Sequence, residues 1–459
     1  MGRCTDDLDN ILSSPKRAIF SMSVPLFLSM LIAFLQSFVD GLWCSGLGAD
    51  EMSAISIAAP VYTLIAAIGS GFGIGASASI ARHLGAGDRE KAETAASTTI
   101  ALTLVISIAI SAILLFLAEP LIVLSGGGNH VDMCMDYTVP FLLCSFFIMM
   151  NGIWAALLRA EGASRKSMIL SLIASALNIV LDPVFIYVLD MGVLGASVAT
   201  CISFIAITVI GFRWYLAGKP YIRLSPRKVS FRRAALVDLA VVGVPCTVEM
   251  MLVSLMTIPQ QALVVSCGGS DGLVVYIYAF NFVTLAMIPA RAIAKSLVPI
   301  VSAAIGQRDS GKIAECVRIT YRLIIAMEAA FNLLIFAAAE FLAAAFVNSE
   351  SMEALHAELT HAMRIYSLTC ILRPLWDVSI SVLQAIRHAF LATALTFTRE
   401  FSFIVLYFFA ATVSMDAIYW SLVLVNVFAT PAITVLMFRL LKGTYRTLDT
   451  EPVPSGVAS

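Results

Sequence analysis

Long runs of apolar residues, separated by short polar connections, recur along almost the whole chain. A run of about 20 apolar residues is long enough to cross the hydrocarbon core of a bilayer as a helix. Such runs lie at 22–44, 53–80, 94–117, 137–158, 168–188, 193–216, 236–264, 273–302, 318–346, 361–385, 391–411 and 417–440. The pattern therefore predicts an all-α polytopic membrane protein with about 12 transmembrane helices.

The composition supports this class. Of the 459 residues, 60% are hydrophobic and 13% are charged, whereas about a quarter of the residues of an average soluble protein are charged. The nine cysteines are scattered and form no Cys-x-x-Cys pair, so we expect neither a disulfide framework nor a zinc site. No Walker A sequence is present, which argues against intrinsic use of ATP. The composition excludes a soluble globular protein, and we expect no cofactor.

Basic residues are confined to alternate connections. The connections near 45–51, 118–134, 189–192, 266–272, 347–360 and 412–416 contain no Lys or Arg, whereas the alternate connections and both termini do. By the positive-inside rule the basic connections and both termini are cytoplasmic, which requires an even number of spans. Because no cleavable signal or transit sequence is recognised at its start, we expect the chain in a prokaryotic plasma membrane.

The two halves of the chain carry related motifs. Pro25 and Pro245 lie 220 residues apart, and the polar segments 85–91 and 306–312 lie 221 residues apart. This offset predicts a duplication into two pseudo-symmetric six-helix lobes around a central cavity, which suits alternating access. The predicted domains are an N-lobe at 1–216, a linker at 217–235, a C-lobe at 236–442 and a cytoplasmic tail at 443–459.

The predicted linker is the longest polar stretch of the chain. Between Lys219 and Arg233 it contains six basic residues and no acidic residue. A stretch of this kind can bind nucleic acid or lipid headgroups. Since it joins two hydrophobic halves, we predict that it lies against anionic headgroups at the cytoplasmic surface, and we expect no nucleic-acid partner.

The most unusual polar residues lie in the fifth apolar run, in the sequence Asn178-x-x-x-Asp182-Pro183. Residues four apart share one face of a helix. Pro183 lacks an N–H group, so the carbonyl group of Ile179 loses its helical partner. A carboxylate at bilayer depth costs about 2.5–3.5 kcal/mol even on insertion scales, which makes such a residue a functional candidate. These residues predict the cation site of a secondary transporter.

The first apolar run contains Pro25 and Asp40. Pro25 lies deep enough in the run to bend the helix, either as a hinge or as a static kink. Asp40 is a second candidate for the cation site, although it could instead lie at the outer interface, because the chain turns polar four residues later.

The order of these motifs resembles that of the multidrug and toxic compound extrusion (MATE) family, and its DinF-like branch in particular. The matching residues are Val24-Pro25, Val39-Asp40-Gly41, Leu84-Gly85-Ala86-Gly87-Asp88 and Asn178-x-x-x-Asp182-Pro183. The resemblance implies a cation-coupled antiporter that exports organic, amphipathic or cationic compounds. It implies an N-lobe cation site formed by Asp40, Asn178, Asp182 and Thr200, with Tyr137 as the nearest match to a fourth-helix tyrosine of the same cavity.

The coupling ion is left open by these residues. Two carboxylates, an amide oxygen and a hydroxyl group are hard ligands that suit Na⁺. Two neighbouring carboxyl groups in a low-dielectric environment also resist ionising together, so that the pair can hold a proton. We therefore predict coupling to H⁺ or Na⁺, in a monomeric protein.

The second half has a different set of charged residues. Glu249 and Asp377 are candidates for a second cavity site, but Arg291 and Lys295 could pair with them, and we favour this structural pairing. A cationic cavity built around Arg291, Lys295 and Arg399 would favour an alternative function, a flippase for a lipid-linked precursor. The alternative of another class is a membrane enzyme acting on lipid, for which we find no nucleophile–base pair and no acidic metal motif.

Glycines alternate in the second apolar run, at Gly69, Gly71, Gly73 and Gly75. The segment matches a loose dinucleotide fingerprint, but no strand precedes it. Small residues at four-residue spacing are typical of closely packed membrane helices, and we predict such packing here.

Overall fold

The computed structural model describes residues 2–123, 128, 130–344, 353 and 355–450, and within these ranges its regular elements are helical. The α-helices are α1 (Gly2–Leu12), α2 (Pro15–Ser45), α3 (Ala49–Gly85), α4 (Arg89–Ile122), α5 (Val131–Leu143), α6 (Ser145–Ala160), α7 (Ser164–Pro183), α8 (Gly192–Leu216), α9 (Arg233–Gly306), α10 (Ser310–Ala344), α11 (His356–Ser367), α12 (Thr369–Ala385), α13 (Ala389–Ala410) and α14 (Met415–Thr450). A π-helical turn covers Val184–Val188, and a 3₁₀ turn covers Pro226–Lys228.

The predicted all-α polytopic membrane fold is confirmed. Among the described residues, nine helices are long and apolar enough to cross a membrane, and the pair α5–α6, bent by 55°, makes ten. The predicted seventh and eighth spans both fall in α9, whose 74 residues contain a kink at Gly269 (φ 63°, ψ −157°), so that one predicted span lies on each side of this break. The predicted tenth span is likewise divided into α11 and α12, of 12 and 17 residues.

The chain forms two compact units. The first consists of Met1–Ser13 and Leu28–Met251, and the second of Ser14–Phe27 and Leu252–Ser459. The boundaries therefore fall inside α2 and inside α9. In α2 the boundary follows Pro25 by two residues, so the helix belongs to the second unit up to Phe27 and to the first unit from Leu28 onward.

The repeated polar motif has the same local structure in both units. Asp88 accepts a hydrogen bond from the backbone N–H of Lys91 at 3.0 Å, and Asp309 accepts one from the N–H of Lys312 at 2.7 Å. These contacts satisfy N–H groups that the first turns of α4 and α10 leave without a helical partner. Gly87 and Arg308, which precede the two aspartates, both have positive φ angles, of 75° and 57°. The shared geometry supports the predicted duplication.

Glycines bring the helices of the first unit into close contact, as predicted. A Cβ atom added to Gly69 would lie 2.6 Å from the Cα of Met149 on α6, and one added to Gly152 would lie 2.9 Å from the backbone N of Ser70. Gly71 and Gly75 face α9 instead, where added Cβ atoms would meet the backbone of Thr247 and Gly243. Helix α3 is therefore packed closely on two sides.

In the second unit, tyrosines lie at the centre of the hydrophobic core. The ring of Tyr276 meets those of Tyr366 and Tyr407 edge to face, with centroids 6.0 and 6.2 Å apart. Tyr366 makes a third contact of this kind with Tyr419, at 5.6 Å. Such edge-to-face pairs add directional packing to burial.

The basic linker is bound to the first unit by two buried carboxylates, which the sequence did not predict. Glu93 on α4 accepts hydrogen bonds from the side chain of Lys228 and, at 3.1 Å, from the backbone N–H of Arg223. Glu161, after α6, is fully buried and accepts from the Tyr215 hydroxyl at 2.5 Å and the Ile222 N–H at 2.8 Å. The linker is thus a docked segment, while the side chain of Arg223 remains exposed.

The docking of the linker is expected to depend on pH through Glu161. Burial raises the pKa of Glu161 from 4.5 to about 7, although its hydrogen bonds and the charge of Lys166 act in the opposite direction. The folded state therefore favours the protonated carboxyl group. The contribution of Glu161 to the free energy of unfolding is therefore greatest below pH 4.5 and falls by about 3 kcal/mol as pH rises to about 7.

We expect Glu161→Gln to remove this pH dependence, because a neutral amide can accept from the Ile222 N–H and donate to the Tyr215 oxygen as the protonated acid does. The measurement is the thermal unfolding midpoint of the purified protein in detergent between pH 5 and pH 8.5. Glu90→Gln, at an exposed position of α4, is the matched control. Equal pH profiles for wild type and Glu161→Gln would contradict the prediction.

Candidate functional site

The fifth-span residues meet α8 in the first unit. Asn178 and Asp182 on α7 are 1% and 3% exposed. The Asn178 side-chain N–H group donates to Asp182 Oδ1 at 2.9 Å and to Thr200 Oγ1 at 3.2 Å. Their spacing explains the first contact, since residues four apart lie one turn from each other on a helix. Thr200 is thus brought to the same amide group from the neighbouring helix.

Asp40 completes the predicted set. Its carboxyl group, on α2, lies close enough to Asp182 and Gln36 to interact with both. Its Oδ1 atom is buried and has no hydrogen-bond partner among the described residues. Contact with Asp182 argues against the alternative in which Asp40 is a separate interfacial residue. The structure therefore brings all four predicted cation-site residues together from α2, α7 and α8.

Two further residues of the cluster were missed by the sequence analysis. Gln36 Nε2 donates to the Asn178 side-chain oxygen, and Ser175 Oγ donates to Gln36 Oε1 at 2.5 Å. A signal for Gln36 was present in the sequence, because Gln36-x-x-x-Asp40 repeats the spacing of Asn178-x-x-x-Asp182. Gln36 links α2 to α7 through the amide of Asn178.

The end of α7 is held against α2 by a π-helical turn. The α-helix continues to Pro183, and Val184–Val188 then form wider turns in which Leu189 N–H donates to the Val184 carbonyl at 2.9 Å. Tyr187 in this turn donates to the backbone carbonyl of Trp43 at 2.5 Å. Single π-helical turns are frequent at functional sites. This one fixes α2 three residues beyond Asp40.

Two tyrosines border the carboxyl pair. Tyr137 on α5 and Tyr62 on α3 both lie within electrostatic range of Asp40. They are joined by Phe141, whose ring centroid is 5.0 Å from each tyrosine ring. Tyr137 therefore lies near the site, as the resemblance implies. Tyr62 was not predicted.

The remaining candidate residues lie elsewhere. Pro25 is inside α2, in the segment that belongs to the second unit. Glu249 is on the part of α9 in the first unit, whereas Asp377 is on α12 in the second. Asp377 Oδ2 lies 3.2 Å from Arg291 Nε, so Asp377 forms the structural ion pair that we favoured over a role in a second cavity site.

The cluster fits a proton or a small hard cation by different routes. Asp40 and Asp182 supply two adjacent carboxyl groups, one with a buried oxygen that lacks a partner. The Asn178 oxygen, in contrast, already accepts from Gln36. A proton can therefore lie between the carboxyl groups with the network unchanged, and the second lone pair of the Asn178 oxygen leaves this atom able to coordinate Na⁺ as well. Among the described residues no group of three or more His, Cys, Asp and Glu could hold a metal ion.

Comparison with known proteins assigns the chain to a family. The MatE family model matches residues 25–184 and 245–409, once in each half, and the two matches begin at the prolines that mark the repeat. The chain belongs to the MATE family. Members of this family are transporters, and this MATE chain is accordingly a multi-pass membrane transporter and not an enzyme.

Two kinds of relative support the assignment. A multidrug export protein, MepA, of Staphylococcus saprophyticus is 23% identical to this MATE chain over 431 residues, which cover 93% of this chain and 94% of MepA. A crystal structure of a MATE protein in complex with MaL6 is 26% identical, with a TM-score of 0.92, over 96% of this chain and 99% of the other. An outward-facing multidrug resistance MATE transporter is 25% identical, with a TM-score of 0.88, over the same shares of the two chains.

Proposed function

We propose that this MATE chain is a cation-coupled antiporter that exports organic, amphipathic or cationic small molecules by alternating access. The observation that carries the proposal is the Asp40–Asp182 carboxyl pair, held by Asn178 and Thr200 among apolar helices. The name of the relative MepA, a multidrug export protein, supports the export direction and the breadth of substrates.

The chemistry of the pair supplies a mechanism for coupling. With one proton or one cation bound, the two carboxyl groups can stay adjacent. When it leaves, two like charges face each other at low dielectric and repel. Since one group lies on α2 and the other on α7, the charge of the site then favours an arrangement in which these helices separate. Pro25 gives α2 a position at which to bend.

Exchange follows if the two access states differ in their affinity for the ion. Binding of the ion and binding of cargo then exclude each other through the same conformational equilibrium. The coupling ion is H⁺ or Na⁺: the carboxyl pair can hold a proton, and its oxygens together with those of Asn178 and Thr200 are hard ligands that suit Na⁺. The site requires no cofactor.

The proposal includes the placement of the chain. We infer a plasma membrane location with both termini cytoplasmic, from the distribution of basic residues. We further infer a monomer of the DinF-like branch, with an N-lobe at 1–216 and a C-lobe at 236–442 that are joined by the linker at 217–235 and followed by a tail at 443–459.

Transport in proteoliposomes tests the function. The purified chain is reconstituted, and ethidium movement is measured with a pH gradient and a Na⁺ gradient imposed separately. We expect one of the two gradients to drive ethidium against its own gradient. Movement of a fluorescent lipid-linked pyrophosphate without any movement of ethidium would instead support the flippase alternative, and coupled export would then be wrong.

A further inference from the structure

The second unit holds a charged cluster that the proposed coupling site does not use. Arg373 on α12 lies within electrostatic range of Arg291 on α9, Asp377 on α12, and Arg399 and Glu400 on α13. Three guanidinium groups face two carboxylates, which leaves a formal excess of one positive charge. Charged side chains among membrane helices are costly, and those that are not paired with one another often mark a path for substrate or ions.

Each carboxylate is already engaged. Glu400 is 5% exposed, and its Oε1 accepts from Arg399 Nη2 at 2.6 Å while its Oε2 accepts from Gln260 at 3.1 Å. Asp377 pairs with Arg291 at 3.2 Å. Arg373, in contrast, forms no ion pair with any residue that the structure describes. Its guanidinium group lies over the ring of Phe280, 5.2 Å from the centroid, with Arg291 and Arg399 as like-charged neighbours.

Arg399 has unused donors. It is 6% exposed, and its Nε and Nη1 atoms are buried without a hydrogen-bond partner among the described residues. Its guanidinium group stacks on Trp376, 4.4 Å from the ring centroid. Buried donors in folded proteins are nearly always paired, so unpaired ones call for a partner that the chain itself does not supply.

We propose that Arg373 and Arg399 form a binding site for an oxyanion, a carboxylate or phosphate group carried by an apolar molecule. A planar guanidinium group has N–H donors side by side, so it can donate two parallel hydrogen bonds to the oxygens of a carboxylate or a phosphate. Trp376 and Phe280 offer apolar surfaces to the rest of the ligand. Binding of the anion is independent of ion coupling, whereas its role as exported cargo rests on the proposed function.

The alternative is an internal ion-pair network that binds nothing. The two differ in what they predict for Arg373, because this residue contributes charge to the cluster without an ion pair of its own. In a purely structural network Arg373→Gln leaves ligand binding unchanged. At an anion site the same substitution removes the excess positive charge and one of the two guanidinium groups that donate to the anion, so anion binding is weakened.

Equilibrium binding to the purified full-length protein in detergent separates these cases. The probes are 2-naphthoate, its neutral analogue 2-naphthamide, and phosphatidylglycerol as a competitor. We expect naphthoate to bind at least about tenfold more tightly than naphthamide, and Arg373→Gln to remove this difference. Arg399→Lys keeps the positive charge but loses the paired N–H donors of the guanidinium group, and it should also weaken naphthoate binding. Arg322→Gln, at an exposed position of α10, is the matched control and should bind as wild type does.

The outcomes are distinct. If phosphatidylglycerol competes with naphthoate and this competition depends on Arg373, the natural anion is a lipid phosphate. If phosphatidylglycerol does not compete, the natural anion is a soluble carboxylate. Both outcomes support the site. Equal binding of the two naphthalene probes, or wild-type naphthoate binding by a folded Arg373→Gln protein, would overturn it. Naphthoate binding is measured in detergent without an ion gradient, whereas coupling is measured by gradient-driven ethidium movement, so that failure of the coupling proposal and failure of this one are told apart.

Discussion

Asp182→Asn should reduce gradient-driven export to the level of protein-free vesicles while leaving the protein folded. Asparagine has nearly the same shape, and its side-chain oxygen can still accept the hydrogen bond that Asn178 donates at 2.9 Å. It cannot gain or lose a proton, and it removes one of the two charges that attract a cation. The measurement is ethidium export under whichever imposed gradient drives the wild type.

Asp190→Asn is the matched control for this substitution. Asp190 follows the same helix by a few residues, is exposed, and has a positive φ of 53°, a conformation that asparagine tolerates as well as aspartate does. We expect it to transport as wild type does. Full coupled export by Asp182→Asn would show that the pair is not the coupling site, and would direct attention to Glu249.

The partner carboxyl group should behave as part of the same unit. Asp40→Asn is expected to lose export to the same extent, and the double variant to lose no more than either single one, because residues that act together show non-additive effects. Coupled export retained by Asp40→Asn, when Asp182→Asn has lost it, would mean that the two carboxyl groups do not act as a unit.

The sequence predicted the coupling cluster well because polar residues in apolar runs are rare and costly. Asp40, Asn178 and Asp182 were found for this reason. Thr200 was found through the family resemblance, because a threonine in a span usually bonds its own helix, and Thr200 does so as well, with its hydroxyl 3.1 Å from the Ala196 carbonyl. Gln36 was missed because an amide is a weaker signal than an acid.

The buried acids at the linker show a limit of sequence analysis. Glu93 and Glu161 lie near helix ends, where an acid is ordinarily solvated, and nothing in their spacing distinguishes them from exposed acids such as Glu90. Their burial is produced by the return of the linker across the ends of α4 and α6, a contact between segments far apart in the chain. The same holds for Arg399 and Glu400, whose surroundings depend on three helices.

The sequence predicted helix boundaries at positions where a glycine, a proline or a charged residue interrupts an apolar run. It missed boundaries at positions that lack such residues. At Gly269, between the seventh and eighth apolar runs, a single residue with positive φ breaks the helix and redirects the chain. The breaks at Cys144 and Leu368 are marked by neither glycine nor proline at the position itself. The apolar runs therefore predicted the long helical segments better than the breaks inside them.

Gly69→Leu is expected to prevent folding of the protein. A Cβ atom at this position would lie 2.6 Å from the Cα and 2.7 Å from the carbonyl oxygen of Met149, and backbone atoms cannot turn aside as a flexible side chain can. Inserting even a few atoms into a packed core costs about 1–3 kcal/mol. A leucine at this crossing would force α3 and α6 apart along their length, including the reciprocal contact at Gly152.

The yield of monodisperse protein in detergent and its unfolding midpoint measure this effect, with Gly69→Ala as the graded variant. Gly443→Ala is the control, because a Cβ atom there meets nothing within 4 Å. Alanine is favoured over glycine inside a helix by about 0.5–1 kcal/mol, so the control should be as stable as wild type or slightly more so. A wild-type midpoint for Gly69→Ala would mean that the α3–α6 crossing is looser than its geometry indicates. A falling series from wild type through alanine to leucine would identify this crossing as the contact on which the fold of the first unit depends.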